Sequence, residues 1–269
     1  SDWQGSGNLR PATTVTMESG SVIDASATEN GNGGKVVLWS DVHKADSMTT
    51  AQGTLHAKGG LNGGDGGQIE TSGHVLQTDG IAVSAAAVKG RSGEWLLDPY
   101  DVVIGTTASG TGYSANFTPS ATSYIKAADI ASSLNGNTGV TISTGASGSN
   151  TIFVSSAITA TGGSASLTLT GGTIALAAGI TTYGAQTYNG NVSVAATGVS
   201  LTSNNGDVTV NGSIQSFNNL VWLAAGGSYY SSLLSPGSSA ATGTLSANSS
   251  VQLGDMSLTW NGSSYSFTL

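Results

Sequence analysis

Cysteine is absent from this 269-residue chain, so no disulfide can staple it. Charge is scarce: only 8% of residues are Asp, Glu, Lys or Arg, against about 25% in an ordinary soluble domain. Proline occurs 4 times, which excludes collagen-like and proline-rich tracts. No apolar run approaches the roughly eighteen residues a spanning helix needs, so no membrane insertion is expected. The formal net charge of −8 gives no counterion-release route to nucleic acid or anionic lipid, and neither is expected as a partner. The start, "SDWQGSGNLR", lacks a basic region followed by an apolar core, so no signal peptide is visible and the chain reads as a processed form or a fragment.

What remains is glycine, 40 of 269 residues, with abundant Ser, Thr, Ala and Val. Low charge with many β-branched residues argues against disorder, which needs low hydrophobicity and high net charge. Short β-like runs punctuated by Gly indicate an all-β chain. All seven basic residues lie at or before Lys126, and after Asp129 the only charged side chains are Asp207 and Asp255. The second half therefore presents Ser, Thr, Asn and Gln.

The first part repeats. "GGKVVLWSD", "GGQIETSGH" and "SGEWLLDPY" each open with small residues and run into a strand, and Gly-rich stretches precede the first two in matching positions. The period of some 25–35 residues is that of a solenoid. Further on, runs such as "LTLTGGTIAL" alternate with period two and break at Gly-Gly, Asn-Gly or Ser-Gly corners. A parallel β-helix satisfies the pattern: each strand points alternate residues inward and stacks about 4.8 Å from the next coil. "SATSYIKAADIASSLNGN" breaks it. Ile130 and Leu134 lie four apart, as do Ala127 and Ala131, and Asn135-Gly136 supplies a stop. A short helix near 122–135 is expected, with an irregular loop as the alternative. The division is then N-terminal coils over 1–105, a joint with the helix over 106–138, and a low-charge continuation over 139–269.

Chemistry-bearing residues concentrate in "GRSGEWLLDPYDVVIG", which holds Arg91, Glu94, Trp95, Asp98, Tyr100 and Asp101. One reading is a scaffold joint. Trp95 occupies the repeat position of Val36 and Ile69 and should face inward, with Leu97 in register two residues on. Asp98 precedes Pro99, which favours an extended or turn conformation. Asp98 and Asp101 would accept backbone N–H bonds, and Arg91 would pair with Glu94 on the surface. The other reading is catalytic, with Asp98, Asp101 and Arg91 flanking a sugar, which needs two carboxylates roughly 5–10 Å apart. Asp41, His43 and Asp46 in "SDVHKAD" could hold a metal but read as a solvated loop. Asp65 in "NGGDGG" reads as a turn rather than a calcium repeat. No cofactor is expected. Trp39, Trp222 and Trp260 are sugar platforms or, by the apolar residues beside them, packing. Sequons stand at Asn116, Asn191, Asn211, Asn248 and Asn261.

"GGQIETSGH", a small-residue run, then "GEWLLDPYDVVI", with "GSVIDASATENGNGGKVVLWSD" before and "IKAADIASSLNGNTGVTI" after, resembles the filamentous-haemagglutinin-type exoproteins. These are large bacterial adhesins of the two-partner secretion route. The resemblance covers roughly residues 15–145. It implies a right-handed parallel β-helix, an outer-membrane secretion partner for the full-length protein, a secreted or cell-surface location, and attachment to cells, matrix or glycans. It carries no catalytic residue. A chain threaded unfolded through a periplasm also has reason to lack cysteine. If the second half binds, the expected ligand is a neutral glycan touching Tyr183, Tyr188, Tyr229 and Tyr230. A β-helical carbohydrate-active enzyme is the alternative.

Overall fold

The computed structural model describes residues 3–5, 10–106, 122–145, 150–196, 199–216, 221–225, 243–245, 249–251, 257–260 and 265–268. The expected parallel β-helix is what they form. The first coil runs through β1 (Thr14–Met17), β2 (Val22–Asp24) and β3 (Lys35–Trp39). The second repeats it as β4 (Met48–Ala51), β5 (Thr54–His56) and β6 (Gln68–Gly73), and the third as β7 (Val75–Gln77), β8 (Ala82–Ser84) and β9 (Glu94–Pro99). Each strand pairs in parallel with its counterpart one coil on, giving three stacked faces: β1-β4-β7, β2-β5-β8 and β3-β6-β9.

The joint follows. β10 (Asp101–Gly105) and β11 (Thr122–Lys126) lie on the face of β7, with β11 between β7 and β10, an extra strand for that face. Helix α1 (Ala127–Asn135) then lies against β8 on one side and, on the other, against β14 (Ile158–Ala160), the first strand of the next sheet on that face. It replaces a strand there, and its Ile130 and Leu134 are buried in the shared core. The helix is shorter than the 122–135 read from the sequence. Residues 122–126 instead pair in unbroken register with β10, because Tyr124 and Ile125 suit a pleated strand. At its end Gly136 donates its N–H to Ser132 and Asn137 sits at φ 61°, the stop that Asn135-Gly136 announced.

The solenoid then resumes with β12 (Gly139–Ser143), β13 (Thr151–Val154) and β14. It continues with β15 (Leu167–Leu176) and β16 (Ile180–Thr182), β17 (Gln186–Val194) and β18 (Val199–Ser203), then β19 (Val208–Val210), β20 (Ile214–Ser216) and β21 (Val221–Ala225). β15 and β17 each turn a corner within one strand, with a register shift between Thr170 and Thr173. Gly190 makes that corner possible: its φ is 151°, and a Cβ there would collide with the carbonyl oxygen of Gly171 one coil away. Past β21 the pairing turns antiparallel, with β22 (Gly243–Leu245) on β19 and β23 (Ser249–Val251) on β21. Such pairing covers edges that a parallel stack leaves open. β24 (Ser257–Trp260) and β25 (Tyr265–Thr268) pair with each other.

The core is made of columns. Val36, Ile69, Trp95, Val140, Leu167, Gln186 and Val208 stand in register across seven coils, and all are buried. The next inward column carries Thr71, Leu97, Ile142, Leu169, Tyr188 and Val210. Trp95 is fully buried at the position shared with Val36 and Ile69, and its indole N–H donates to Thr71 Oγ1 at 2.9 Å. Tyr188 is fully buried too, its hydroxyl donating to Gln186 Oε1 at 2.6 Å. It therefore cannot touch a ligand, contrary to the expectation that it would. Period two places Gln186 and Tyr188 on the inner side of the same strand, and the two polar tips satisfy each other.

Candidate functional site

The segment from Gly90 to Gly105 lies where the Gly-rich coils meet the joint. Leu97 joins Trp95 in the core, and Pro99 is buried at the end of β9. Asp101 accepts the backbone N–H of Thr151 at 2.6 Å and so ties β10 to β13. Arg91 does not pair with Glu94. Its Nε and Nη2 donate to Asp65 Oδ2 at 3.0 and 2.7 Å, while its backbone N–H donates to Asp65 Oδ1 at 2.8 Å. Those bonds hold the Asp65 carboxyl below its usual range and raise the Arg91 guanidinium. Two Gly-rich corners stacked one coil apart bring Asp65 to Arg91, whereas Glu94 turns to accept from the Thr141 hydroxyl. Asp98, Asp101 and Arg91 thus have three separate sets of neighbours and form no common centre.

Asp98 does not serve as the backbone acceptor expected of it. It stands on the outer side of β9, in register with Ser72 and diagonal to Glu70. Glu70 is fully buried; its Oε1 accepts from the Ser72 hydroxyl at 2.9 Å and its Oε2 from the Gln4 N–H at 2.7 Å. Burial raises Glu70. Burial, with Glu70 close by, raises Asp98 to about 7. The sequence hid this pair, because only the coil-to-coil register sets "IETS" beside "LLDP".

The remaining candidates separate. Asp41 accepts the His43 N–H at 3.0 Å in a local turn, and Asp46 pairs with Lys44 at 3.1 Å. Among the described residues no group of three or more His, Cys, Asp or Glu could hold a metal ion. Tyr183 is 38% exposed. Trp39 lies on the outer side of β3, in register with Ser72. Tyr229 and Tyr230 lie outside the described residues, as do the side chains of Trp222 and Trp260.

A polar cleft of about 470 Å³ opens between the corner of the third coil and the coils that resume after α1. Gly90, Gly93 and Gly139 line it with backbone, and Arg91, Glu94, Asn137, Thr141, Ser164 and Thr168 supply its side chains. A Cβ on Gly93 would collide with the carbonyl oxygen of Gly67, so this wall stays bare. Asn137 Oδ1 accepts both the N–H and the hydroxyl of Ser164, at 3.0 and 3.2 Å, which fixes the opposite wall. The cleft combines one paired guanidinium, one carboxylate and several hydroxyls, with no aromatic platform in its lining. It offers hydrogen bonds to a hydroxyl-rich molecule and no strong field of either sign. No model of a known protein family and no curated protein matches the chain.

Proposed function

We propose that the chain is a region of a secreted or surface-tethered bacterial adhesin, attaching to cells, matrix or glycans through the side of a rigid β-helix. The observation that carries this reading is the polar cleft set in a regular solenoid, with a charge-poor surface beyond it. The sequence resemblance to filamentous-haemagglutinin-type exoproteins supports the same reading, and with it an outer-membrane secretion partner for the full-length protein. Repeated coils give length and stiffness without chemistry, which suits a stalk or a binding segment. The test is binding of the 269-residue chain to whole cells and to a glycan array. Retention on either supports a binding segment, and absence from both overturns attachment through this region and leaves only the stalk.

A second reading, a carbohydrate-active enzyme, draws on one observation: the acid pair Glu70 and Asp98, with Asp98 near neutrality as a general acid requires. Against it, Glu70 is sealed and spends both oxygens on Ser72 and Gln4. Saccharide release lost in Asp98→Asn with an unchanged melting temperature would favour the enzyme.

A further inference from the structure

The cleft does not end at its own rim. Thr141 and Thr168, two of its lining residues, begin a column on the outer side of the sheet that continues in register through Thr187 and Thr209. Beside it runs a second polar column: Ser143, Thr170, Asn189 and Asn211. From Thr170 onward the second column is bonded from coil to coil. Asn189 Nδ2 donates to Thr170 Oγ1 at 3.1 Å, and Asn211 Nδ2 donates to Asn189 Oδ1 at 2.8 Å. Among the described residues, the hydroxyls of Thr168, Thr187 and Thr209 make no such bond and are partly exposed. A row of unengaged hydroxyls, spaced by the coil repeat of about 4.8 Å, therefore leads out of the cleft parallel to the solenoid axis.

We propose that the cleft and this threonine column form one binding track for a linear, neutral polysaccharide lying along the axis, about one sugar per coil. The proposal rests on the adhesive reading above and adds the site and the ligand class. Three features select that class. Among the described residues the charged side chains along the track are Arg91, exposed but paired with Asp65, together with Glu94 and Asp207, so an anionic polymer meets more negative charge than positive. The outward positions are Thr, Ser and Asn, which match hydroxyls rather than a lipid surface. The periodic spacing meets a periodic ligand, so weak contacts add along one chain as linked sites do.

The test is retention of the full 269-residue chain on beads bearing neutral glucan, mannan or galactan, with heparin beads as the anionic comparison. Two variants address the track: Thr168→Val with Thr187→Val, which keeps β-branched strand residues while removing hydroxyls, and Ser166→Gln, which adds neutral bulk at the exposed cleft edge. The control is Thr159→Val with Thr181→Val, an outward threonine pair in register on another face. The expected result is retention on at least one neutral polysaccharide, reduced tenfold or more by each track variant, with melting temperatures unchanged and the control at wild-type level. Equal loss in track and control variants, or loss in the control alone, overturns the track while the adhesive reading stands. Retention on heparin alone, or binding to cells whose surface glycans have been stripped, also overturns the track and points to an anionic or protein partner.

Discussion

Replacing Asp98 by asparagine should make the protein more stable at pH 8 and leave it almost unchanged at pH 4. Asp98 is raised from 3.8 to about 7 by burial and by Glu70. A raised carboxyl means that the folded state holds its proton more tightly than the unfolded chain does. Its favourable contribution is complete below the unfolded value near 3.8. It is lost as pH rises through about 7, and the curve is flat above that. At about 1.4 kcal/mol per tenfold change in proton affinity, the interval from 3.8 to about 7 sets a ceiling of about 4 kcal/mol. Glu70 acts on Asp98 only through its charge, and the site relaxes when Asp98 ionises, so about 2 kcal/mol is the expected difference. For a chain of this length that is roughly 4–8 °C in melting temperature. The assay is thermal unfolding of wild type and Asp98→Asn from pH 4 to 9, followed by strand circular dichroism. The wild-type melting temperature should fall between about pH 4 and 7 and level off above that, and the variant should fall less, the two separating over the same interval. Parallel curves would refute the reasoning, and so would a variant that loses stability specifically at high pH.

Other outcomes follow from the packing and the surface. Trp95→Ala removes the largest fully buried side chain among the described residues and strands the Thr71 hydroxyl. It should cost about 3–5 kcal/mol in chemical denaturation; a cost under about 1 kcal/mol would contradict an interior Trp95. Gly190→Val should disrupt the corner within β17 where it stacks on β15 and lower the melting temperature sharply, because φ 151° and the Gly171 carbonyl both exclude a side chain; a wild-type melt would refute that. Binding by the low-charge half should hardly change between low and physiological salt, since screening acts on exposed charges; binding that collapses as salt rises would show that charge carries the contact.

Much of the fold was legible because the solenoid repeats. Equivalent small residues announced equivalent corners, and the repeat position of Trp95 with Val36 and Ile69 is the register that the strands adopt. The helix was legible from Ile130 and Leu134, but its start was not: strand pairing of 122–126 with β10 is a long-range contact that outweighs local pattern. The site was less legible for the same reason. Asp65 meets Arg91, Asp98 meets Glu70 and Glu94 meets Thr141, each pair separated by a whole coil or more. Tyr188 was misread as surface because Gln186, its inward neighbour, is polar and blurs the alternation.

As a proposed adhesive segment, this chain would hold glycans without cutting them. One experiment tests it most directly: incubate the 269-residue chain with beads bearing neutral polysaccharide, then measure both the protein retained and the saccharide released into solution. Retention with no release above a protein-free control is expected. Saccharide release by the wild type, abolished in Asp98→Asn at an unchanged melting temperature, would contradict it.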